Sequence, residues 1–347
     1  MSHSTDMPIA ITMGDAAGIG PEIIAKAFLH SPHATRDCFV AGDVQTMRRA
    51  LALVQRGGVS LPVAQIDSVG ALADLPPGCL PVLQIGEPLG PVAVGQISAA
   101  AGAFAGRCIV LAAQAALRGE VSAVVTAPIH KEALSAAGSP YDRFPGHTEM
   151  LQWQAASHAG KSPDSVPVRM MLSNPELRVV LVSIHLSLAR AVQAVTFGNV
   201  LQTIEITHRA LQGMLRRMPR IAVAGLNPHA GEGGLFGSEE VEVIAPAVVA
   251  ARAAGIDVVG PFAPDTVFMR ARAGQAEGFD VVVAMYHDQG LIPVKYLGVE
   301  QGVNSTLGLP FVRTSPDHGT AFDIAGTGLA DPASLLAALS AARLARA

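Results

Sequence analysis

The sequence predicts a two-lobed α/β protein built on a mainly parallel sheet, and three observations carry that prediction. At 347 residues the chain exceeds the usual size of one compact domain and has room for two lobes with sizeable cores and a cleft between them. Half of the residues are hydrophobic, only 15% are charged, and 35 glycines and 24 prolines accompany them, a composition suited to a buried parallel sheet with many tight turns. Short β-rich runs also alternate with longer Ala-rich stretches, the pattern of βα units.

The runs follow one another along the chain. IAITM from Ile9 reads as the first strand, and MGDAAGIGPE (Met13 to Glu22) turns it into a helix that starts near Pro21, where proline is tolerated and anions are welcomed. The Pro/Gly-rich patch from Leu75 to Pro91 reads as a surface excursion, and Gly95 to Gly119 as a helix. VSAVVTAP from Val121, RVVLVSIH from Arg178, RIAVAGLNPH from Arg220 and DVVVAMYHD from Asp280 supply further strands, with a helix from Val195 to Met218 between the second and third.

Several function classes are excluded. Arg, Asp, Pro and Gly are expected to interrupt every apolar stretch before the roughly 18 residues that a membrane span needs. MSHSTDMP carries no secretory pattern, so the cytoplasm is the expected location. Cys38, Cys79 and Cys108 are widely spaced and odd in number, which fits neither a disulfide framework nor a cysteine metal site. A net charge of −4 without a basic cluster, and 4% aromatic residues, lack the footprint of a nucleic-acid binder. A small-molecule substrate is expected.

Ligands of open α/β sheets gather outside the carboxyl ends of the strands. Three of the strand candidates finish in histidine: His185, His229 and His287, the last followed by Asp288. Three imidazoles with open positions for substrate or water make the pattern of a catalytic metal centre. His130 and His147 end comparable runs and stand as rival ligands or substrate contacts. His318 lies in a Gly-rich loop nearer a cofactor, while His3, His30, His33, His158 and His208 read as solvated.

Asp288 and Asp265 are candidates for a general base or for orienting a ligand histidine. Lys295, Asn304 and Arg313 recur at nine-residue intervals in an almost uncharged segment, a set suited to carboxylate or phosphate recognition. The first glycine loop is neither a GxGxxG fingerprint nor a P-loop. The second, DHGTAFDIAGTGLADP from Asp317, would let the amides of Gly319 and Thr320 approach a cofactor beside His318. Asp323 there could accept hydrogen bonds from an adenosine ribose, which favours NAD over NADP.

ITMGDAAGIGPE, TAPIHKEAL, FPGHTE, LNPHAGEGGLFG, MYHDQG and VNSTLGLPFVRTSPDHGTAFDIAG together resemble the 4-hydroxythreonine-4-phosphate dehydrogenase family of vitamin B6 biosynthesis and its paralogues, from about Ile9 to Pro332. More distantly, GD-x-x-GIGPE and HGTAFDIAGTGLADP look like segments of isopropylmalate and isocitrate dehydrogenases, which implies their bilobal α/β/α fold. The resemblance places the metal on His185, His229 and His287, and substrate contacts on His147, Thr148, Lys295, Asn304 and Arg313. It implies a homodimer with the active site at the interface, the three histidines not necessarily from one subunit. It also implies a cofactor-side lobe (1–125 with 296–347) and a metal- and substrate-binding, dimerisation lobe (126–295).

The implied reaction is metal-dependent, NAD-linked oxidation and decarboxylation of 4-phosphohydroxy-L-threonine to 3-amino-2-oxopropyl phosphate, with Asp265, Asp288 and Lys295 as candidate catalytic groups. Zinc best suits imidazole ligands, with magnesium, manganese and cobalt as alternatives. Ala16 and His130 stand where the family often has Pro and Asn. GLIPVK from Gly290 resembles instead the paralogues that act on D-threonate or D-erythronate 4-phosphate, an alternative substrate class. A non-catalytic metal-binding protein is the reading from outside enzymes.

Overall fold

The computed structural model describes residues 7–55, 61–272, 278–298 and 300–346. The chain divides into two compact units, the first holding the residues up to Pro167 together with those from Leu309 onward, the second Val168–Gly308.

The first unit begins with β1 (Ile9–Thr12), α1 (Gly20–His30), β2 (Cys38–Gly42), α2 (Val44–Val54), β3 (Val63–Ile66) and β4 (Leu80–Gln84). It continues through α3 (Ala99–Leu117), β5 (Ala123–Thr126), α4 (Lys131–Ala136) and α5 (His147–His158). The second unit contains β6 (Arg169–Ser173), β7 (Arg178–Leu181), α6 (Leu188–Gln193), α7 (Phe197–Leu215), β8 (Ile221–Ala224) and α8 (Ala245–Ala253). After β9 (Val258–Phe262), α9 (Val267–Ala271), β10 (Val281–Ala284), α10 (His287–Tyr296) and β11 (Val303–Leu307), the chain returns to the first unit with β12 (Val312–Pro316) and α11 (Ala333–Arg346).

Six parallel strands run β3-β4-β2-β1-β5-β12 across the first unit. β1, β2 and β5 are buried throughout, as strands covered on both faces must be. The patch from Leu75 to Pro91 is not the surface excursion expected of it: it contains β4, which lies between β2 and β3. Pro81 is tolerated because pairing with β2 begins only at Val82, so the missing N–H costs that ladder nothing.

α3 has 19 residues with a mean hydropathy of 1.5 over its best window, long and apolar enough to cross a membrane, against the expectation that every apolar stretch stops short. More than half of that window is buried, and Phe104, Cys108, Ile109 and Ala112 are inaccessible where α3 packs over β1, β2 and β5. Its hydrophobicity is that of a core helix. α4 and α5 pack on α3, and Gly102 lies so close to the Ala133 carbonyl that a Cβ would have no room. That packing puts the division between units at 167/168, whereas the sequence reading drew it at 125/126.

The second unit has the order β11-β6-β7-β10-β8-β9. β7, β10, β8 and β9 are parallel, while β6 pairs antiparallel with both β7 and β11. The reversal at β6 is local chemistry. Asn174 Oδ1 accepts from the Glu176 and Leu177 amides at 2.9 Å, closing a turn too short for a parallel crossover. Alternate residues then enter two cores: Val180, Val223 and Val283 join residues of α7 and α8, while Val179, Ala222 and Val282 join residues of α9 and α10.

Candidate metal, substrate and cofactor sites

β7, β10 and β8 are adjacent and parallel, so their carboxyl ends share one edge of the second unit. None of the three histidines is part of its strand. His185 follows β7 by four residues, His229 lies five past β8, and His287 opens α10. The exits of β7 and β10 are tied by Val182 N–H to the Ala284 carbonyl at 2.9 Å and by the Ser183 hydroxyl to the Met285 carbonyl at 3.1 Å. This brings the rings of His185 and His287 to 5.9 Å between centroids.

Both rings line a cavity of about 400 Å³ with Ser183, Leu188, Tyr286 and Asp288. His287 Nδ1 lies 2.7 Å from Asp288 Oδ1, so a proton on Nδ1 would leave the Nε2 lone pair for a ligand. His229 is exposed, with its ring 6.2 Å from that of Phe236. Among the described residues no group of three or more His, Cys, Asp or Glu side chains could hold a metal. The structure thus pairs two of the three candidate ligands, a donor set that fits a divalent ion once a further ligand is added.

Asp265 sits in the exposed turn between β9 and α9, Lys295 in the exposed last turn of α10, and Asn304 half-buried in β11 opposite Leu172. The nine-residue series is divided by the fold, since Lys295 and Asn304 belong to the second unit and Arg313 to the first.

In the first unit Arg313 is 4% exposed on β12, opposite Val124 of β5, and its Nη2 donates to the Thr126 hydroxyl at 2.7 Å. Burial lowers its pKa to about 10, opposed in part by the Glu149 carboxylate. His147 and Thr148 open α5, and His147 Nε2 is buried with no hydrogen-bond partner. Burial, reinforced by the Arg313 charge, holds the His147 imidazole well below 6.5. A neutral donor and a desolvated guanidinium, with Thr148 beside them at the amino end of a helix, form an arrangement able to take a dianion.

The depressed His147 pKa has a thermodynamic consequence. The unfolded chain takes up a proton that the folded protein refuses, so the contribution of His147 falls as pH drops through the unfolded value of 6.5. Urea denaturation at pH 7.5 and 5.5 is expected to show a larger loss of stability on acidification in the wild type than in His147→Gln.

The two glycine loops meet in the first unit. Ile19 N–H donates to the Thr320 carbonyl at 3.0 Å, and a Cβ on Gly18 would come within 2.9 Å of the Thr320 side chain. Lys26 caps the Gly328 and Ala330 carbonyls at 2.8 and 2.6 Å, fastening the second loop to α1. Thr320 is buried, His318 half-buried with Nε2 inaccessible and unpartnered, and Gly319 and Asp323 exposed. His130 stacks on Phe322 of the same loop, with centroids 4.6 Å apart and planes 17° from parallel. Of the histidines expected to be solvated, His30, His33 and His158 are exposed, and His3 lies outside the described residues. His208 is instead half-buried in α7 with Nδ1 inaccessible, because α7 packs on the sheet.

Sequence reasoning gave no role to Asp15, Thr126 or Glu240. Asp15 is 1% exposed in the first loop, and burial raises its pKa although the Ala17 amide donates to it at 2.8 Å. A lone acid in an otherwise uncharged glycine loop was its only signal. Nothing local distinguishes Glu240 from Glu239 or Glu242.

The profile of the family described as "Pyridoxal phosphate biosynthetic protein PdxA" matches residues 34–342. A 4-hydroxythreonine-4-phosphate dehydrogenase of Beijerinckia indica subsp. indica is 53% identical over 330 residues, covering 95% of this chain and 92% of its own. A D-threonate 4-phosphate dehydrogenase of Pectobacterium atrosepticum is 47% identical, covering 94% and 95%. The crystal structure of 4-hydroxythreonine-4-phosphate dehydrogenase from Klebsiella pneumoniae, 43% identical, superposes with a TM-score of 0.84 over 98% of this chain and 100% of its own. With a family match over most of its length and relatives of this identity, the chain belongs to the PdxA family of pyridoxal phosphate biosynthetic proteins.

Proposed function

We propose that the protein is a metal-dependent, NAD-linked dehydrogenase that oxidises and decarboxylates 4-phosphohydroxy-L-threonine to 3-amino-2-oxopropyl phosphate. The observation that carries the reading is the pairing of His185 and His287, 5.9 Å apart, with Asp288 on one cavity. His185, His229 and His287 would hold the ion, in a homodimer whose subunits need not each supply all three. Zinc is the ion that imidazole ligands suit best. When bound, the ion supplies Lewis acidity to a substrate hydroxyl and NAD accepts the hydride.

The residues of the chain then divide the remaining work. Asp288, against His287, or Asp265 takes the hydroxyl proton. Lys295 anchors the substrate or returns a proton after carbon dioxide leaves, and Asn304 adds a polar contact. Arg313, His147 and Thr148 bind the phosphate, whose charge offsets the cost of a buried guanidinium. The Gly319 and Thr320 backbone receives the dinucleotide beside His318, with Asp323 on the ribose. A cytoplasmic location goes with this reading, since Cys38, Cys79 and Cys108 are too few and too widely spaced to form a disulfide framework.

A second substrate class has its own support. The relatives include proteins named D-threonate 4-phosphate dehydrogenase at 45–48% identity, among others named for 4-hydroxythreonine 4-phosphate at 45–53%. NADH formation from 4-phosphohydroxy-L-threonine, D-threonate 4-phosphate and D-erythronate 4-phosphate separates the two. The first is expected to give the highest kcat/KM, and a chelator is expected to abolish turnover. Activity undiminished by chelation would sink the metal reading, and preference for either sugar acid would replace the substrate.

A further inference from the structure

The segment that carries His229 has an unusual backbone. His229, Ala230, Gly231, Glu232 and Gly233 all have positive φ, between 45° and 78°. For the three that are not glycine this is a strained conformation, and it persists only where the surroundings over-determine it.

The side chain that does so is Glu240, 2% exposed at the start of a π-helical stretch, Glu240–Ile244, that runs into α8. Its Oε1 accepts from the Leu226 and Asn227 amides, both at 2.7 Å, and its Oε2 from Asn227 Nδ2 at 2.9 Å. The carboxylate fills the hollow of the turn so fully that a Cβ on Gly225 or Gly231 would come within 2.9 or 2.7 Å of its oxygens. π-helical turns recur at functional sites. A single helical residue thus holds the entrance of the turn by hydrogen bonds and packs against Gly231 within it.

The turn is also joined to the other candidate ligands. Gln289, two residues after His287, accepts from the Met285 amide and donates to the Gly225 carbonyl, both at 2.7 Å. The exit of β10 and the entrance to the His229 turn are therefore fixed relative to each other through one amide side chain.

We propose that Glu240 is a positioning residue for metal binding: its carboxylate holds the left-handed turn that presents His229, and Gln289 couples that turn to His287. The inference rests on the reading of His229 as a metal ligand. A carboxylate suits the task because two backbone N–H groups and an amide N–H converge on it, and no neutral side chain offers acceptors to all three.

Cobalt(II) titration of the metal-free full-length protein, followed by ligand-field absorption and paired with thermal melting, tests both steps. Glu240→Ala is expected to weaken cobalt binding by about 10- to 100-fold, as loss of a partner that orients a ligand does. Its spectrum is expected to shift toward that of His229→Ala. Glu240→Gln, which keeps the acceptor for both backbone amides, is expected to fall between wild type and Glu240→Ala, and it decides the matter should the alanine variant not fold. If His229→Ala weakens cobalt binding but the Glu240 variants bind like wild type, whatever their melting temperatures, the positioning role is overturned. If His229→Ala itself binds like wild type, the ligand reading falls and this inference with it.

Discussion

Single replacement of His185, His229 or His287 by alanine is expected to cost about 10³-fold or more in kcat and to lower the metal content of the purified protein. The magnitude follows from what a metal supplies, several kcal/mol of charge stabilisation in the transition state, at about 1.4 kcal/mol per tenfold. His185 and His287 share a cavity and are expected to behave alike. His130→Ala is the control: stacked on Phe322, it is expected to keep its metal. Metal analysis beside steady-state kinetics checks all four variants. A metal-free His130→Ala, or a fully loaded His287→Ala, would reverse the ligand assignment.

Arg313→Met is expected to raise KM for the phosphorylated substrate by about 10²- to 10³-fold, equivalent to about 3–4 kcal/mol, the scale for removing one member of a buried hydrogen-bonded charge pair. The melting temperature of the ligand-free protein is expected to hold or rise. The sign follows from the pKa: burial lowers it to about 10, so below that pH the folded state bears a charge that the unfolded state carries at less cost. Kinetics and melting on one preparation separate a binding role from a structural one. A large fall in stability with KM unchanged would make Arg313 a core residue instead.

The strands that are almost wholly apolar, β1, β5, β7, β8 and β10, were legible because a buried parallel sheet writes itself as near-continuous Val, Ile, Leu and Ala, broken here only by a terminal Thr12, Thr126 or Arg178. β4 was not, since Pro76, Pro77 and Gly78 precede it, Pro81 interrupts it and local propensity there argues for a loop. Its strand character comes from pairing with β2 and β3, contacts that no window of sequence contains. His208 was misread for a related reason: the side of α7 that faces the sheet is fixed by packing, and one histidine on a helix does not reveal its side.

The sequence by itself determined the class of the fold and the family, and it nominated the residues proposed to carry the chemistry, because apolar runs, glycine loops and histidines after strands are local features with local physical causes. Tertiary structure decided which of those residues meet. It paired His185 with His287, seated Arg313 against Thr126 with His147 close by, and laid one glycine loop on the other. It also singled out Glu240 among neighbouring acids, because only one carboxylate lies where three N–H groups converge. Convergence of this kind arises from segments brought together by the sheet, and distance along the chain carries no record of it.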